Sequence, residues 1–193
     1  MMGGILSPEF LQAAGRAGKE KFSGMKLFTP VSDPEISSIT GMDIVVKTIK
    51  SGVAHEDTYA SLEGDTLSIS ADKNTEIVIT GTITECEIGE NTTYSRISVT
   101  NTALTSLDCS SCYALQELNL STNTALTSLN CSYCYALQII YYPATNEDVS
   151  TAIAGAITYA NAADGTVYTD SAADYYSTIE TAATAKGWTI EQL

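Results

Sequence analysis

A chain of 193 residues, of which 44% are hydrophobic, is long enough for one compact domain or two small ones. Its 9 basic and 23 acidic residues give a formal net charge of -14, which argues against a nucleic-acid backbone as the partner. No apolar run reaches the length of a membrane span, so the sequence does not predict a membrane-spanning protein. The hydrophobic fraction is high enough for a core, which argues against global disorder.

The first predicted element is a short helix from about Pro8 to Lys21. Ser7 can cap this helix, and Pro8 suits its first turn. Residues 1–26 hold 4 basic and 2 acidic residues, net +2, whereas the remaining 167 residues hold 5 basic and 21 acidic ones, net -16. A basic arm on an acidic body predicts an anchor for an acidic protein surface, including a second copy of the chain; a solvated helix end is the alternative. The predicted anchor residues are Phe10, Leu11, Arg16, Lys19 and Lys21.

The segment after the arm predicts an extended linker over residues 23–42, since it contains Gly24, Pro30, Pro34 and Gly41. From Asp43 the pattern changes to short strands at residues 44–46, 66–69 and 76–79. β-Branched residues and alternation support these three strands.

Residues 101–144 contain one 22-residue unit twice, NTALTSLDCSSCYALQELNLST and NTALTSLNCSYCYALQIIYYPA. Each unit divides into two 11-residue halves with shared apolar positions, at Leu104, Leu115, Leu126 and Leu137 and, three residues later, at Leu107, Leu118, Leu129 and Ile140. This period and spacing are typical of leucine-rich repeats, which bury their apolar edges by stacking. A half of 11 residues is too short for a strand plus a full helix. We therefore expect one strand per half, near residues 105–109, 116–120, 127–131 and 138–142, with Leu107, Leu118 and Leu129 pointing inward.

The C-terminal residues predict two helices and two strands in alternation. Asn146 can cap a helix that runs to about Asn161, and a brief strand follows at residues 165–168. Asp170 can cap a second helix, for which Gly187 is a suitable left-handed stop, and Trp188 begins the last strand. We expect this segment to shield the open end of the repeats.

Together these elements predict a mainly β fold with an α/β cap, built around a short leucine-rich-repeat parallel solenoid. The predicted divisions are an N-terminal helical arm and linker at residues 1–42, a β-rich segment at 43–80, the solenoid at 81–144 and a helix-strand-helix-strand cap at 145–193. The solenoid division includes degenerate copies of the spacing before the perfect repeat.

The repeats resemble the short, cysteine-containing leucine-rich repeats of Bacteroidetes surface proteins and of phages of those bacteria. The residues that carry the resemblance are LTSLDCSSC at Leu104–Cys112 and LTSLNCSYC at Leu126–Cys134. TAKGWTIEQL at Thr184–Leu193 is similar to the closing segment of such proteins. The resemblance spans about residues 77–193, and it implies the repeat fold rather than a particular function.

Four cysteines have the spacing of a zinc site, because the C-x-x-C pairs Cys109/Cys112 and Cys131/Cys134 are separated by 18 residues. The repeat explains this spacing without a metal, since these positions also accept leucine and asparagine in the neighbouring halves. Disulfides between stacked equivalents fit poorly, because parallel side chains do not converge. With Cys86 the number of cysteines is odd. We expect a packed ladder of thiols and no metal.

Tyrosine is abundant, with 11 residues in the chain. Tyr113, Tyr133 and Tyr135 lie at equivalent turns of the repeat and are the predicted ligand-binding face, for a protein or a glycan. The alternative is that these rings stack along the repeats and are buried under the C-terminal segment.

Few residues suggest catalysis. His55 is the only histidine and lies in a polar stretch, predicted as a loop, beside Glu56 and Asp57. No nucleophile-elbow pattern and no twelve-residue calcium loop is present. We predict a non-enzymatic protein with no catalytic residues, no cofactor and no metal.

The expected function is a structural or adhesion component of a larger assembly, with protein partners that include its own copies and with a host surface glycan or protein as a further partner. A phage virion is the expected location, since the N-terminal residues lack the apolar core of a secretory signal. The alternative is a leucine-rich-repeat protein of the bacterial cell surface or the extracellular space, which binds host or matrix ligands.

Overall fold

A computed structural model describes residues 24–89, 94–100 and 103–193. In these residues 11 strands form one mixed sheet that is not closed, and two helices lie in the C-terminal part. Of the described residues, 46% lie in strands and 15% in helices. The predicted N-terminal helix and its anchor residues, Phe10, Leu11, Arg16, Lys19 and Lys21, lie outside the described residues.

Four long strands form the antiparallel part of the sheet: β1 (Gly24–Thr29), β2 (Glu35–Lys50), β3 (Val53–Ser68) and β4 (Thr75–Glu87). β2 and β3 are joined by a two-residue turn at Ser51 and Gly52, which have φ values of 54° and 73°. Positive φ at both central residues is the geometry that matches the twist of a hairpin. β4 pairs with β2 on one side and with β1 on the other.

The predicted linker is wrong, whereas the three predicted strands overlap with β2, β3 and β4, which are much longer than expected. β1 and the first part of β2 occupy the expected linker, and the 16 residues of β3 include the expected loop with His55. β3 is an edge strand on which only Leu62 and Leu67 are buried. An edge strand whose side chains are mostly exposed on both faces shows little alternation of apolar and polar residues, so its sequence resembles that of a loop.

Gly81 marks the point at which β4 changes neighbours. Residues 75–80 pair with β1, and residues 85–87 pair in parallel with β6 (Ser106–Asp108). Gly81 has a φ of 123°, and a Cβ there would lie 2.5 Å from the carbonyl oxygen of Asp43. Only glycine fits this bend, which redirects the strand into the repeat region.

The repeat region consists of two parallel ladders. One contains β4, β6 and β8 (Ser128–Asn130), and the other contains β5 (Arg96–Val99), β7 (Glu117–Asn119) and β9 (Ile139–Tyr141). Leu107 pairs with Leu129 and Leu118 with Ile140, one 22-residue unit apart. The predicted position of one strand in each half-repeat is thus confirmed.

The C-terminal residues form α1 (Glu147–Tyr159), β10 (Thr166–Thr169), α2 (Tyr176–Lys186) and β11 (Thr189–Gln192). β10 pairs in parallel with β9, and β11 pairs in parallel with β10. These strands therefore continue the sheet, and they do not form a separate cap. Val167 follows Ile140 in the register, so the apolar row of the repeats extends into this segment.

The predicted fold class is consequently wrong as a description of the chain. A solenoid with a helical arm and a distinct α/β cap was expected, whereas a mixed open sheet runs from the antiparallel strands through the repeats to β11. The physical reason is that β1 pairs with both β4 and β5, which joins the two parallel ladders to the antiparallel strands.

The core follows the predicted apolar rows. Leu107, Leu118 and Leu129 are buried, and Cys109 and Cys131 are buried beside them, as predicted. These residues belong to a continuous hydrophobic cluster that reaches from β1 to Trp188.

Of the three capping residues predicted for the C-terminal helices, Asn146 and Gly187 are confirmed. The side chain of Asn146 accepts a hydrogen bond from the backbone N–H of Val149 at 3.2 Å, and Gly187 ends α2 with a φ of 82°. Asp170 does not cap α2, which begins at Tyr176. Asp170 instead accepts a hydrogen bond from the N–H of Ala172 in the preceding turn.

Candidate binding surface

The turns between the two ladders lie alternately at two edges of the repeat region. β6 and β8 belong to one ladder and β7 and β9 to the other, so the turns β6–β7 and β8–β9 share one edge. This edge carries Tyr113, Tyr133 and Tyr135, and the end of α1 adds Tyr159. We call these four residues the tyrosine edge. The turn β7–β8 lies at the opposite side and carries Thr122 and Thr124, which we call the threonine edge.

The four tyrosine rings form one connected cluster. Tyr113 and Tyr135 are stacked with centroids 5.9 Å apart and planes within 7°. Tyr133 meets Tyr135 edge-on at 6.1 Å and Tyr159 at 5.7 Å. All four remain exposed, from 37% for Tyr135 to 52% for Tyr159. Stacking along the repeats therefore occurs, but the alternative of burial under the C-terminal segment is wrong for the three predicted tyrosines.

Tyr159 was missed by the sequence prediction. Its helix was predicted, but helical periodicity does not indicate at which edge of the repeats a helix will end. The order of elements contains a signal for its position. After β9 of the second ladder, the chain returns to the side of the first ladder, and α1 lies there in place of a further strand. The helix contacts β8 there, with the thiol of Cys131 donating to the carbonyl of Ala152 at 3.5 Å.

Backbone hydrogen bonds hold the tyrosine edge in place. The N–H of Tyr113 donates to the carbonyl of Ser111, and the N–H of Tyr135 donates to that of Tyr133, both at 2.9 Å. The N–H of Asn161 donates to the carbonyl of Tyr135 at 2.8 Å, which fixes the end of α1 against the second turn. The rings are thus presented from a fixed backbone.

The threonine edge shows that this type of turn does not require aromatic residues. Thr124 occupies the half-repeat position of Tyr113, and its N–H makes the same hydrogen bond, to the carbonyl of Thr122 at 3.1 Å. Leu126 then repeats the bond of Leu115 to the residue three positions earlier. Since an exposed threonine satisfies these bonds, the hydrogen bonds of the turn do not account for the tyrosines at the other edge.

Tyr133 adopts a backbone conformation that is unfavourable for a bulky residue. Its φ is 61°, in the left-handed region that asparagine and glycine enter more readily. Ser111, its equivalent in the first unit, has a φ of 56°. The second unit therefore keeps a strained turn and adds an exposed ring to it, which is common at functional sites.

This strain predicts the order of stability of two variants that both remove the ring. Tyr133→Asn should be more stable than Tyr133→Ala by about 0.5 to 1 kcal/mol, because asparagine tolerates the left-handed region better. Urea unfolding of both variants measures the difference. The matched pair Ser111→Asn and Ser111→Ala should show the same order without any change of ring contacts, and a reversed order at both positions would contradict the strain.

The interior behind the tyrosine edge contains the cysteine ladder. Cys112 and Cys134 are fully buried, and their thiols donate to the carbonyls of Gly89 at 3.8 Å and of Cys109 at 3.1 Å. Burial raises the pKa of the Cys86 thiol to about 12 and also raises the pKa of Cys131. The hydrogen bond with Cys134, together with burial, raises the pKa of Cys109. Among the described residues, no group of three or more His, Cys, Asp or Glu side chains is arranged to hold a metal ion.

These thiols should be unreactive in the native protein. Only the thiolate is nucleophilic, and burial blocks access to all five thiols. The raised pKa values of Cys86, Cys109 and Cys131 also disfavour their thiolates, whereas the hydrogen bond with Cys109 lowers the pKa of Cys134, whose protection therefore depends on its burial. We expect iodoacetamide at about pH 8 to modify none of the five cysteines until urea unfolds the chain, after which all five should react. Mass spectrometry counts the adducts, and rapid native labelling of Cys109 or Cys131 would contradict the described packing.

A cavity lies in the antiparallel part of the sheet, away from the tyrosine edge. This cavity of about 260 Å³ is lined by Asp33, Pro34, Glu35, Ser68, Ile69 and Ser70. Lys50 donates to Asp33 at 2.6 Å, and this bond, with the N–H of Ala71, lowers the pKa of the Asp33 carboxyl. His55 is exposed on β3 and does not line this cavity. The cavity thus holds an ion pair but no paired nucleophile and base.

Known proteins give no guide to the role of either feature. No model of a protein family, no curated protein and no solved structure matches this chain. Among the described residues, neither helix is long and apolar enough to span a membrane. The tyrosine edge is the candidate site on its geometry alone.

Proposed function

We propose that this protein is a non-enzymatic structural or adhesion component of a larger assembly and that the tyrosine edge contacts its partner. The observation that carries the proposal is the exposed, connected cluster of Tyr113, Tyr133, Tyr135 and Tyr159. Tyrosine offers a large, rigid and amphipathic contact area at a low cost in conformational entropy.

Two features of the turns support a binding role. The threonine edge makes the corresponding turn hydrogen bonds with small polar residues and with no positive φ at Thr122, and Tyr133 occupies a strained backbone position that a smaller residue would fit better. Selection for stability alone favours neither an exposed ring nor a bulky residue at positive φ. A partner that contacts the rings accounts for both.

A phage virion is the proposed setting of the assembly, and the bacterial cell surface is the alternative. The charge distribution of the sequence supports attachment to a further surface in either setting, since residues 1–26 carry net +2 and the remainder net -16. A basic segment can join an acidic body to a further acidic surface. Native mass measurement of the protein purified from its natural source tests this setting. A stable high-order assembly supports the particle, and a monomer contradicts it and favours the surface protein.

Site-specific photo-crosslinking tests the binding role of the tyrosine edge. A benzophenone amino acid is placed at position 135 and, as a matched control on the opposite edge, at position 124, in protein expressed in its natural source. We expect a defined adduct from position 135 and none from position 124. Equal adducts from both positions, or none from position 135, would sink the proposal.

A further inference from the structure

We infer that the tyrosine edge binds a neutral carbohydrate chain, an inference that rests on the proposed binding function and names its ligand class. Three properties of the surface lead to this class: its segments contain no charged residue, it combines aromatic rings with uncharged hydrogen-bonding groups, and its rings extend over two turns and the end of α1.

The segments that form the surface carry no charged residue in a strongly acidic chain. Residues 109–116, 131–138 and 158–163 contain no Asp, Glu, Lys or Arg, although Asp108, Glu117 and Asp164 directly flank them and Asp108 accepts a hydrogen bond from the N–H of Ser110. Lys186 lies nearby, and its ammonium group donates to the carbonyl of Thr158 at 3.3 Å. Charged ligands are recognised by complementary charge, so the lack of charge on these segments favours a neutral ligand. The cores of protein interfaces are also poor in charge and rich in tyrosine, so the choice of a carbohydrate over a protein rests on the hydrogen-bonding groups and on the arrangement of the rings.

The groups that the surface offers are suited to sugar hydroxyls and sugar rings. Gln116 and Gln138 are exposed three residues after Tyr113 and Tyr135, and the N–H of Gln138 donates to the carbonyl of Gln116 at 2.9 Å. Amides and phenols both donate and accept hydrogen bonds, as sugar hydroxyls do. The electron-rich face of a tyrosine ring attracts the weakly positive C–H bonds on the face of a sugar.

The arrangement of the rings favours a chain over a single sugar. From Tyr113 through Tyr135 and Tyr133 to Tyr159, successive centroids are 5.9, 6.1 and 5.7 Å apart. The rings lie along an edge formed by successive turns, and the 260 Å³ cavity that could enclose a small ligand is lined by other residues. Because the rings extend over two turns and the end of α1, several weak contacts can bind one polymer at the same time and add to its affinity.

Affinity electrophoresis of the full chain tests the ligand class. Native gels contain a neutral polysaccharide, either a glucan, a mannan or a galactan, or an anionic one, either alginate or heparin. We expect at least one neutral polysaccharide to retard the protein, with no loss of retardation between low salt and about 1 M sodium chloride, since no ion pair is involved.

Variants that copy the threonine edge connect the binding to the tyrosines. Tyr113→Thr/Tyr135→Thr should weaken the retardation by about tenfold or more in apparent affinity, equal to about 1.4 kcal/mol. Thr122→Ser/Thr124→Ser on the opposite edge should leave it unchanged. Circular dichroism of each variant confirms that it is folded, and if the tyrosine pair fails to fold, the milder Gln116→Ala/Gln138→Ala variant, expected to weaken binding by a smaller factor, replaces it.

The outcomes separate this inference from the proposed function. Salt-sensitive binding to the anionic polysaccharides alone, or no binding to any neutral one, overturns the carbohydrate inference. Neutral binding that the tyrosine variant leaves intact overturns it as well. A protein adduct from position 135 in the crosslinking experiment would keep the binding function and reject the carbohydrate ligand, whereas no adduct would reject both.

Discussion

Replacing Leu118 by alanine should lower the free energy of unfolding by about 2 to 5 kcal/mol. Leu118 is fully buried on β7, and it lies between Ile97 of β5 and Ile140 of β9 in the parallel register. The substitution removes apolar contacts and leaves a cavity that neighbouring strands on both sides cannot fill, because the backbone of each is fixed by the ladder. Urea unfolding followed by circular dichroism measures the change.

Leu129→Ala is the matched control for this prediction. Leu129 is the equivalent leucine of β8, which pairs with β6 alone among the described strands, and it retains 9% exposure. The same chemical change should therefore cost less at position 129 than at position 118. Equal costs, or a cost below about 1 kcal/mol at Leu118, would contradict the central place of β7 in the core.

The sequence predicted those parts of the fold that depend on short stretches of chain. The repeat of Leu107, Leu118 and Leu129 located the parallel strands, because a row of equivalent apolar residues can be buried only by stacking. Asn146 and Gly187 marked helix ends, since a cap depends on a few neighbouring atoms.

The antiparallel half could not be predicted in the same way. Most side chains of β3 are exposed, so apart from the burial of Leu62 and Leu67 its stability comes from hydrogen bonds to β2 and from the turn at Ser51 and Gly52. Pairing partners far apart in sequence, such as β1 with β5, leave no periodic signal. The continuity of the sheet across the whole described chain was therefore missed.

The candidate site was predicted in part. Tyr113 and Tyr135 were identified from their equivalent positions in the repeat and Tyr133 from its place in the last unit, and the structure brings the three together at one edge. Tyr159 joins them only because α1 crosses the repeats and ends beside Tyr133. Whether a ring is exposed depends on what covers the edge, and that is a property of the tertiary structure.

Replacing Trp188 by alanine should have the largest effect on stability, about 3 to 5 kcal/mol. Trp188 is 4% exposed, its indole N–H donates to the carbonyl of Ala162 at 2.8 Å, and its ring lies against Gly165, where a Cβ would overlap it. The variant loses a large buried surface and leaves that carbonyl without its partner. Trp188→Phe is the control, because it keeps most of the ring volume and should cost clearly less.

The same residue reports whether the C-terminal segment unfolds with the rest of the protein. Trp188 is the only tryptophan, so its fluorescence follows residues near β10 and β11, while circular dichroism follows the whole chain. Since β10 continues the ladder of β9, we expect the two urea transitions of the unmodified protein to coincide, as they do for a single cooperative unit. A fluorescence transition at lower urea than the circular dichroism transition would instead show that residues 145–193 form a separate unit, and the cost of Trp188→Ala would then be confined to that unit.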